Sequence, residues 1–179
     1  MMTIYTVGHS TRTDQEFLEI LRAHGIRRLV DVRRYPGSRR HPQFSRESLE
    51  RFLPEHGIAY EHAPDLGGRR TASADSVNDA WRSASFRAYA DYMQTPEFER
   101  ALGALIDGAD QPTAIMCAEA VPWRCHRQLI ADALVARGIE VLNILSAERA
   151  EPHRLNEHAR VGRDGRVTYP ADGDQTSMF

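Results

Sequence analysis

The fold is decided by residues 13–32, which read TDQEFLEILRAHGIRRLVDV. Thr13 and Glu16 have the Thr-x-x-Glu spacing of a capping box, in which side chains satisfy the first free N–H groups of a helix. Phe17, Ile20 and Leu21 then recur at helical spacing, so one face is apolar and the rest polar. His24-Gly25-Ile26 stops the helix, because glycine takes the left-handed conformation past a helix end without steric cost. Leu29, Val30 and Val32 follow as a buried strand, with Asp31 inside it.

The same stop recurs twice, at His56-Gly57-Ile58 and Arg137-Gly138-Ile139. Working outward from the three stops gives five strands: Ile4 to Val7, Arg28 to Val32, Ile58 to His62, Thr113 to Cys117 and Val141 to Leu145. Between them lie a helix capped by Ser45 that Pro54 ends or kinks, one opened by Ser85, one started by Thr95-Pro96, and one with Pro122 in its first turn. Strands alternating with helices predict an α/β fold: a single-domain three-layer sandwich with a mostly parallel sheet of about five strands and helices on both faces. Residues 1–160 are expected to form this domain. The polar loop 64–84 is expected to carry a short helix near Ala80-Trp81. The segment 161–179 is expected to be a loosely held polar tail.

The chain has 179 residues, a size that fits one core. No apolar run approaches the ~20 residues of a membrane helix. Met1-Met2-Thr3-Ile4-Tyr5 lacks the charged and then apolar pattern of a secretory signal, so a cytoplasmic location is expected. The net charge of -2 argues against a basic nucleic-acid coat. All 23 cationic side chains are arginine. The absence of lysine excludes Schiff-base chemistry, pyridoxal-lysine enzymes and a Walker-type phosphate loop. The positive charge lies early: residues 1–70 carry 12 arginines against 9 carboxylates, while residues 71–118 carry 3 against 7.

Ligands of parallel sheets bind beyond the carboxyl ends of the strands. There this sequence places Gly8, His9, Ser10 and Arg12; Arg33 and Ser38; Gly67 and Gly68; and the run from Cys117 through Glu119 to Cys125, His126 and Arg127. Arginine forks, backbone N–H groups and hydroxyls favour an oxyanion, and phosphate is the expected one. Gly8-His9-Ser10 also fits an ordinary turn. Asp31, inside an apolar strand, needs a partner such as Arg33 whether its purpose is functional or structural. Cys125, near a helix start and beside His126, Arg124 and Arg127, is the expected thiolate. Cys125 or Cys117 is the candidate nucleophile or redox group, with Glu119, His126 or His9 moving protons, although Cys125 also fits simple packing. Two cysteines without a Cys-x-x-Cys unit do not suggest a disulfide framework. No structural zinc is expected, because neighbours on a helix, as Cys125 and His126 would be, point apart.

Thr6-Val7-Gly8-His9-Ser10, Asp31-Val32-Arg33 with Pro36 and Ser38, Leu66-Gly67-Gly68, and Met116-Cys117-Ala118-Glu119 followed by Cys125-His126-Arg127 together resemble the bacterial and archaeal family called domain of unknown function 488. The resemblance runs from about Ile4 to at least Ile144. It implies an α/β fold with one composite site at the strand ends and supplies no reaction or cofactor. The final Gln175-Thr176-Ser177-Met178-Phe179 is similar to the pentapeptide by which bacterial replication and repair proteins dock on the sliding clamp, with Gln175, Met178 and Phe179 as its anchors.

Three functions are therefore carried forward. The first is an enzyme acting on a phosphate-bearing substrate, a nucleotide or damaged nucleic acid, in DNA repair or replication. The second is a non-catalytic phosphate or nucleic-acid binder tethered to the clamp. The third is a redox or metal protein built on Cys117 and Cys125.

Overall fold

The computed structural model describes residues 2–37 and 39–171. Ser38, Gln175, Met178 and Phe179, singled out above, lie outside the described residues. In chain order the elements are β1 (Thr3–Gly8), α1 (Asp14–Ala23), β2 (Arg28–Asp31), α2 (Arg46–Glu55), β3 (Ala59–His62), α3 (Ala84–Tyr92), α4 (Pro96–Asp107), β4 (Thr113–Cys117), α5 (Arg127–Val135), β5 (Glu140–Ile144), β6 (Ala150–Pro152), β7 (Arg160–Val161) and β8 (Val167–Thr168).

The main sheet has six strands in the order β3-β2-β4-β1-β5-β6. The first five are mutually parallel, and β6 pairs antiparallel with β5. The sequence reading missed this sixth strand, because Ala150-Glu151-Pro152 has no apolar alternation. Side chains alternate across the sheet. On one face Leu29, Ala114 and Met116 pack against Phe17 and Leu21 of α1 and Leu49 and Leu53 of α2. On the other, Ile4, Val30 and Ile115 pack against Tyr89 of α3, Leu102 of α4 and Leu129 of α5. Each fully buried Leu, Ile or Phe contributes ~1.5–3 kcal/mol. The expected three-layer α/β sandwich is present, with one strand more than expected.

The three glycine stops behave as the sequence implies. Gly25, Gly57 and Gly138 have φ of 69°, 80° and 80°. After each, the isoleucine N–H donates back across the glycine, Ile26 to Leu21, Ile58 to Leu53 and Ile139 to Leu134. This double-bonded stop turns the chain straight into the next strand. Thr13 and Glu16 form the full capping box, Ser45 caps α2, and Pro54 sits in the last turn of that helix.

Four local expectations are corrected. Ser83, not Ser85, caps α3, since its hydroxyl accepts from the Phe86 N–H. Residues 79–80 form a turn, and no helix forms near Ala80-Trp81. Pro122–Arg124 is one isolated 3-10 turn, and α5 begins only at Arg127, because Cys125 is extended at φ -133° and ψ 147°. The described part of the tail, residues 161–171, is held and not loose: β7 and β8 form a hairpin, and Val167 and Tyr169 are buried in the core. The Tyr169 hydroxyl donates to Asp132 of α5 at 2.7 Å, and its N–H donates to Asn78 at 2.8 Å.

The register brings the site to one level. Gly8 at the end of β1 lies opposite Cys117 at the end of β4, and Asp31 of β2 lies between Met116 of β4 and His62 of β3. No helix among the described residues is long and apolar enough to cross a membrane.

Candidate active site

The loops after β1 and β4 continue their pairing beyond the strands. The His9 N–H donates to the Cys117 carbonyl at 3.0 Å, and the Ser10 N–H donates to the Ala118 carbonyl at 2.9 Å. Ser10 takes a left-handed φ of 52° to do so. This approach needs a glycine at position 8, where a Cβ would stand 1.6 Å from the Glu119 carbonyl oxygen and 2.9 Å from the Arg127 guanidinium. Gly67 plays the same part between the loops after β2 and β3, where a Cβ would lie 2.6 Å from the Arg34 backbone.

Under this junction lies Arg127, the largest fully buried side chain. Its guanidinium donates to the Thr6 hydroxyl at 3.2 Å, the Cys117 Sγ at 2.7 Å, and the carbonyls of Glu119 at 2.5 Å and Ala120 at 3.2 Å. None of these four acceptors is a carboxylate. A buried cation needs an anion, and of these partners only the Cys117 sulfur can become one. Burial alone pushes the Cys117 thiol up, but a hydrogen bond with Cys125, the charge and N–H of Arg127, and a backbone hydrogen bond at Glu119 outweigh it and bring it down to about 7. Cys125 goes the other way. Burial, and then the neighbouring Cys117, push its thiol well above the ordinary value. The buried guanidinium thus favours charge on Cys117, the other cysteine singled out in the sequence, because the Arg127 side chain folds back onto it across the intervening loop. Both cysteines are buried and neither is in a disulfide.

Burial favours the neutral form of two of the histidines at the site, His9 and His126. Burial drives His126 down to about 4. Its Nε2–H donates to the Val32 carbonyl at 3.0 Å, which leaves Nδ1 as the lone-pair nitrogen facing the Cys125 Sγ at 3.6 Å. The two side chains thus lie side by side ahead of the helix, and the argument that they point apart fails. Even so, no metal-holding group of three or more His, Cys, Asp or Glu occurs among the described residues. Burial also brings His9 to about 4. Its Nδ1–H donates to the Ser10 carbonyl at 2.8 Å, its Nε2 faces Arg33 at 3.3 Å, and its ring stacks on Phe44 at 4.4 Å.

The arginines expected to grip an anion are committed internally. Arg33 forms a two-pronged pair with the fully buried Asp31, at 2.8 and 2.7 Å, and also donates to the Phe44 carbonyl. The Tyr60 hydroxyl donates to Asp31 as well, at 2.5 Å. Burial, followed by the Asp31 charge, raises the Tyr60 hydroxyl far above its ordinary range. Arg12 donates to the carbonyls of Gly8 at 2.7 Å and Leu145 at 3.2 Å.

Above these groups opens a cleft of about 480 Å³, within the range of small-ligand sites. Of the residues singled out in the sequence, His9, Arg33, Gly68, Cys117, Glu119, Cys125 and His126 line it together. Gly8, Arg12, Asp31, Gly67 and Arg127 stand behind the wall as its supports, and Ser10 lines an adjoining cleft. The rim cations are Arg34, Arg69 and Arg124, which the sequence places after β2, β3 and β4 without a role of their own in substrate binding. Arg34 and Arg69 both lie over the exposed Tyr35 ring, at 5.5 and 5.6 Å.

A family model described as Domain of unknown function DUF488 matches residues 13–134. The chain belongs to this family. In the DUF488 chain the match takes in Asp31, Arg33, Cys117, Glu119, Cys125 and Arg127 and begins after Gly8-His9-Ser10, so the β1 end of the site lies outside it. No curated protein and no solved structure matches the DUF488 chain.

Sequence reasoning also missed Thr6 and Asn143. Beyond Arg127, the Thr6 hydroxyl donates to Asn143 Oδ1 at 2.6 Å, Asn143 Nδ2 faces His153 Nδ1 at 3.4 Å, and His153 Nε2 donates to Asp132 at 2.8 Å. Their apolar-strand and helix contexts gave no sign of a shared network.

Proposed function

We propose that this protein is an enzyme that acts on a phosphate-bearing substrate, of the nucleotide type, through the thiolate of Cys117. The observation that carries the reading is the Arg127–Cys117 contact: a fully buried guanidinium 2.7 Å from a sulfur that opens onto a cleft. A thiolate, not a thiol, is the nucleophile, and a cationic partner is how proteins populate it near neutrality. Arg34, Arg69 and Arg124 on the rim pair with no carboxylate among the described residues and are placed to receive phosphate oxygens. The aromatic wall of Tyr35, Phe86 and Tyr89 suits a planar group.

In this scheme Cys117 Sγ attacks an electrophilic atom of the substrate, a bond from sulfur to that atom forms, and the bond to the leaving group breaks. Glu119 is the only carboxylate of the central cleft wall among the described residues. The departing group leaves with the bonding pair and takes a proton from solvent, and Glu119 accepts a proton from the water that then attacks the adduct, frees the product and restores the Cys117 thiolate. Arg33, Asp31 and Tyr60 hold the β2 loop in place and do not touch the substrate.

The test is a panel of nucleotides and phosphomonoesters, with intact-mass analysis for an adduct on Cys117 and alkylation of Cys117 with and without each compound. An adduct or protection that Cys117→Ser abolishes and Cys125→Ser retains supports the reading. Absence of turnover, adduct and protection across the panel refutes it.

One observation favours a second reading. Cys117 and Cys125 are hydrogen-bonded free thiols of opposite tendency, one lowered and one raised, which suits attack by the first and resolution by the second in dithiol exchange. Reduction of a small disulfide that needs both cysteines would select it.

A further inference from the structure

The central cleft is not isolated. It runs into a second depression of about 660 Å³, with which it shares His9, His41, Ala118, Glu119 and Arg124. That depression continues past Trp123 into a third, of about 480 Å³, over β5 and β6. Together they form one track that starts over the loop after β2 at the carboxyl edge of the sheet and, past Trp123, runs down beside β5 and β6 to Arg154.

The charge along this track is opposite to that of the whole chain. Arg34, Arg40, Arg69, Arg124 and Arg154 line it, and none of them forms an ion pair with a described residue. Against them stand two glutamates, Glu119 and Glu151, and Glu151 is already paired with Arg149. Two large aromatic side chains stand out of the track, Tyr35 and Trp123, each 62% exposed. An unpaired cation track punctuated by exposed rings matches the physics of single-strand recognition, in which arginines follow the phosphates and bases stack on the rings.

We infer that the track binds a single-stranded nucleic acid several nucleotides long, threaded past Cys117, and not merely a mononucleotide. This rests on the reading of the central cleft as a phosphate-substrate site and extends it to the class of substrate. The net charge of -2 does not oppose it, because the fields of exposed charges fade over about 10 Å and Glu119 and Glu151 are the only carboxylates among the described residues of the track. A duplex is disfavoured, because its bases are stacked on each other and offer no free faces to Tyr35 and Trp123.

The experiment is fluorescence anisotropy of the full chain with a labelled single-stranded oligonucleotide and the matching duplex, over a range of salt. The expected result is tighter binding of the single strand. If all five arginines engage, log affinity against log salt falls with a slope of roughly -3.5. Trp123→Ala should weaken the strand by at least about fivefold through lost stacking, and Arg154→Ala should make the salt slope shallower by about 0.7. Arg100→Ala, an exposed change on α4, should leave both unchanged. No strand binding, equal duplex binding, or an unaltered affinity in Trp123→Ala overturns the inference. Alkylation of Cys117 is measured alongside with a mononucleotide as protectant. If the mononucleotide protects while the strand fails to bind, the track is wrong and the thiolate enzyme stands. If neither happens, both fall.

Discussion

Replacing Arg127 by methionine tests the chemistry most directly. The change removes a fully buried charge at similar length and leaves the Cys117 sulfur without its cation. The Cys117 thiol now stands at about 7 against an ordinary 9.0, which corresponds to ~3 kcal/mol of preference for the charged form. Without Arg127, burial acts unopposed by charge, and the midpoint should return to about 9 or higher. At pH 7 the thiolate fraction would then fall from about one half to about one hundredth, and alkylation of Cys117 would slow by about 50-fold. Titration of thiolate ultraviolet absorbance, with peptide mapping to assign the sulfur, reads both quantities. Arg127→Lys keeps a charge without the fork and should leave the midpoint below 9, which guards against a methionine variant that fails to fold. The linkage has a definite sign. A thiol lowered in the folded state adds stability that is complete above about 9 and is lost as pH falls through about 7. The stability advantage of the native chain over Cys117→Ser should therefore grow between pH 7 and 9. A folded Arg127→Met protein whose Cys117 still titrates near 7 would refute the reasoning.

Three further outcomes are expected. His9 and His126 are both lowered from 6.5 to about 4, so the unfolded chain binds their protons first and stability should fall as pH drops from 6.5 toward 4. His126→Gln should flatten that slope by about 1.4 kcal/mol per pH unit, measured by denaturant unfolding. Asp31→Ala leaves Arg33 buried without its counter-charge and frees the Tyr60 hydroxyl; it should cost ~3–5 kcal/mol in the same assay, and a loss below 1 kcal/mol would show that water replaces the carboxylate. Removing residues 175–179 should abolish co-elution with a bacterial sliding clamp, and binding retained without Gln175, Met178 and Phe179 would refute the role of that peptide.

The layers of the fold were legible because each helix carries its own stop. Gly25, Gly57 and Gly138 mark turns that no other common residue accommodates as readily, and the strands between them are short apolar runs. Ala150–Pro152 and the β7–β8 hairpin were not legible, because they are short and polar and exist only through pairing with a neighbour. The start of α5 was misplaced because proline suits a 3-10 turn as well as the first turn of an α-helix. At the site, the gathering of Cys117, Glu119, Cys125 and His126 followed from their position after β4. Which thiol ionises did not, since proximity in sequence favoured Cys125 while the folded Arg127 side chain reaches Cys117. The Arg33–Asp31 pair was legible, two residues apart in and after an apolar strand, but the inward turn of Arg12 and Arg127 was not, because it depends on Leu145 and Thr6 from distant segments.

The network from Arg127 through Thr6, Asn143 and His153 to Asp132 has a further consequence. Its middle member is an amide, which fixes the direction of its neighbours yet cannot relay a proton along the row. The Arg127–Cys117 pair is thus held in alignment all the way from Asp132, with no proton path running between the two ends.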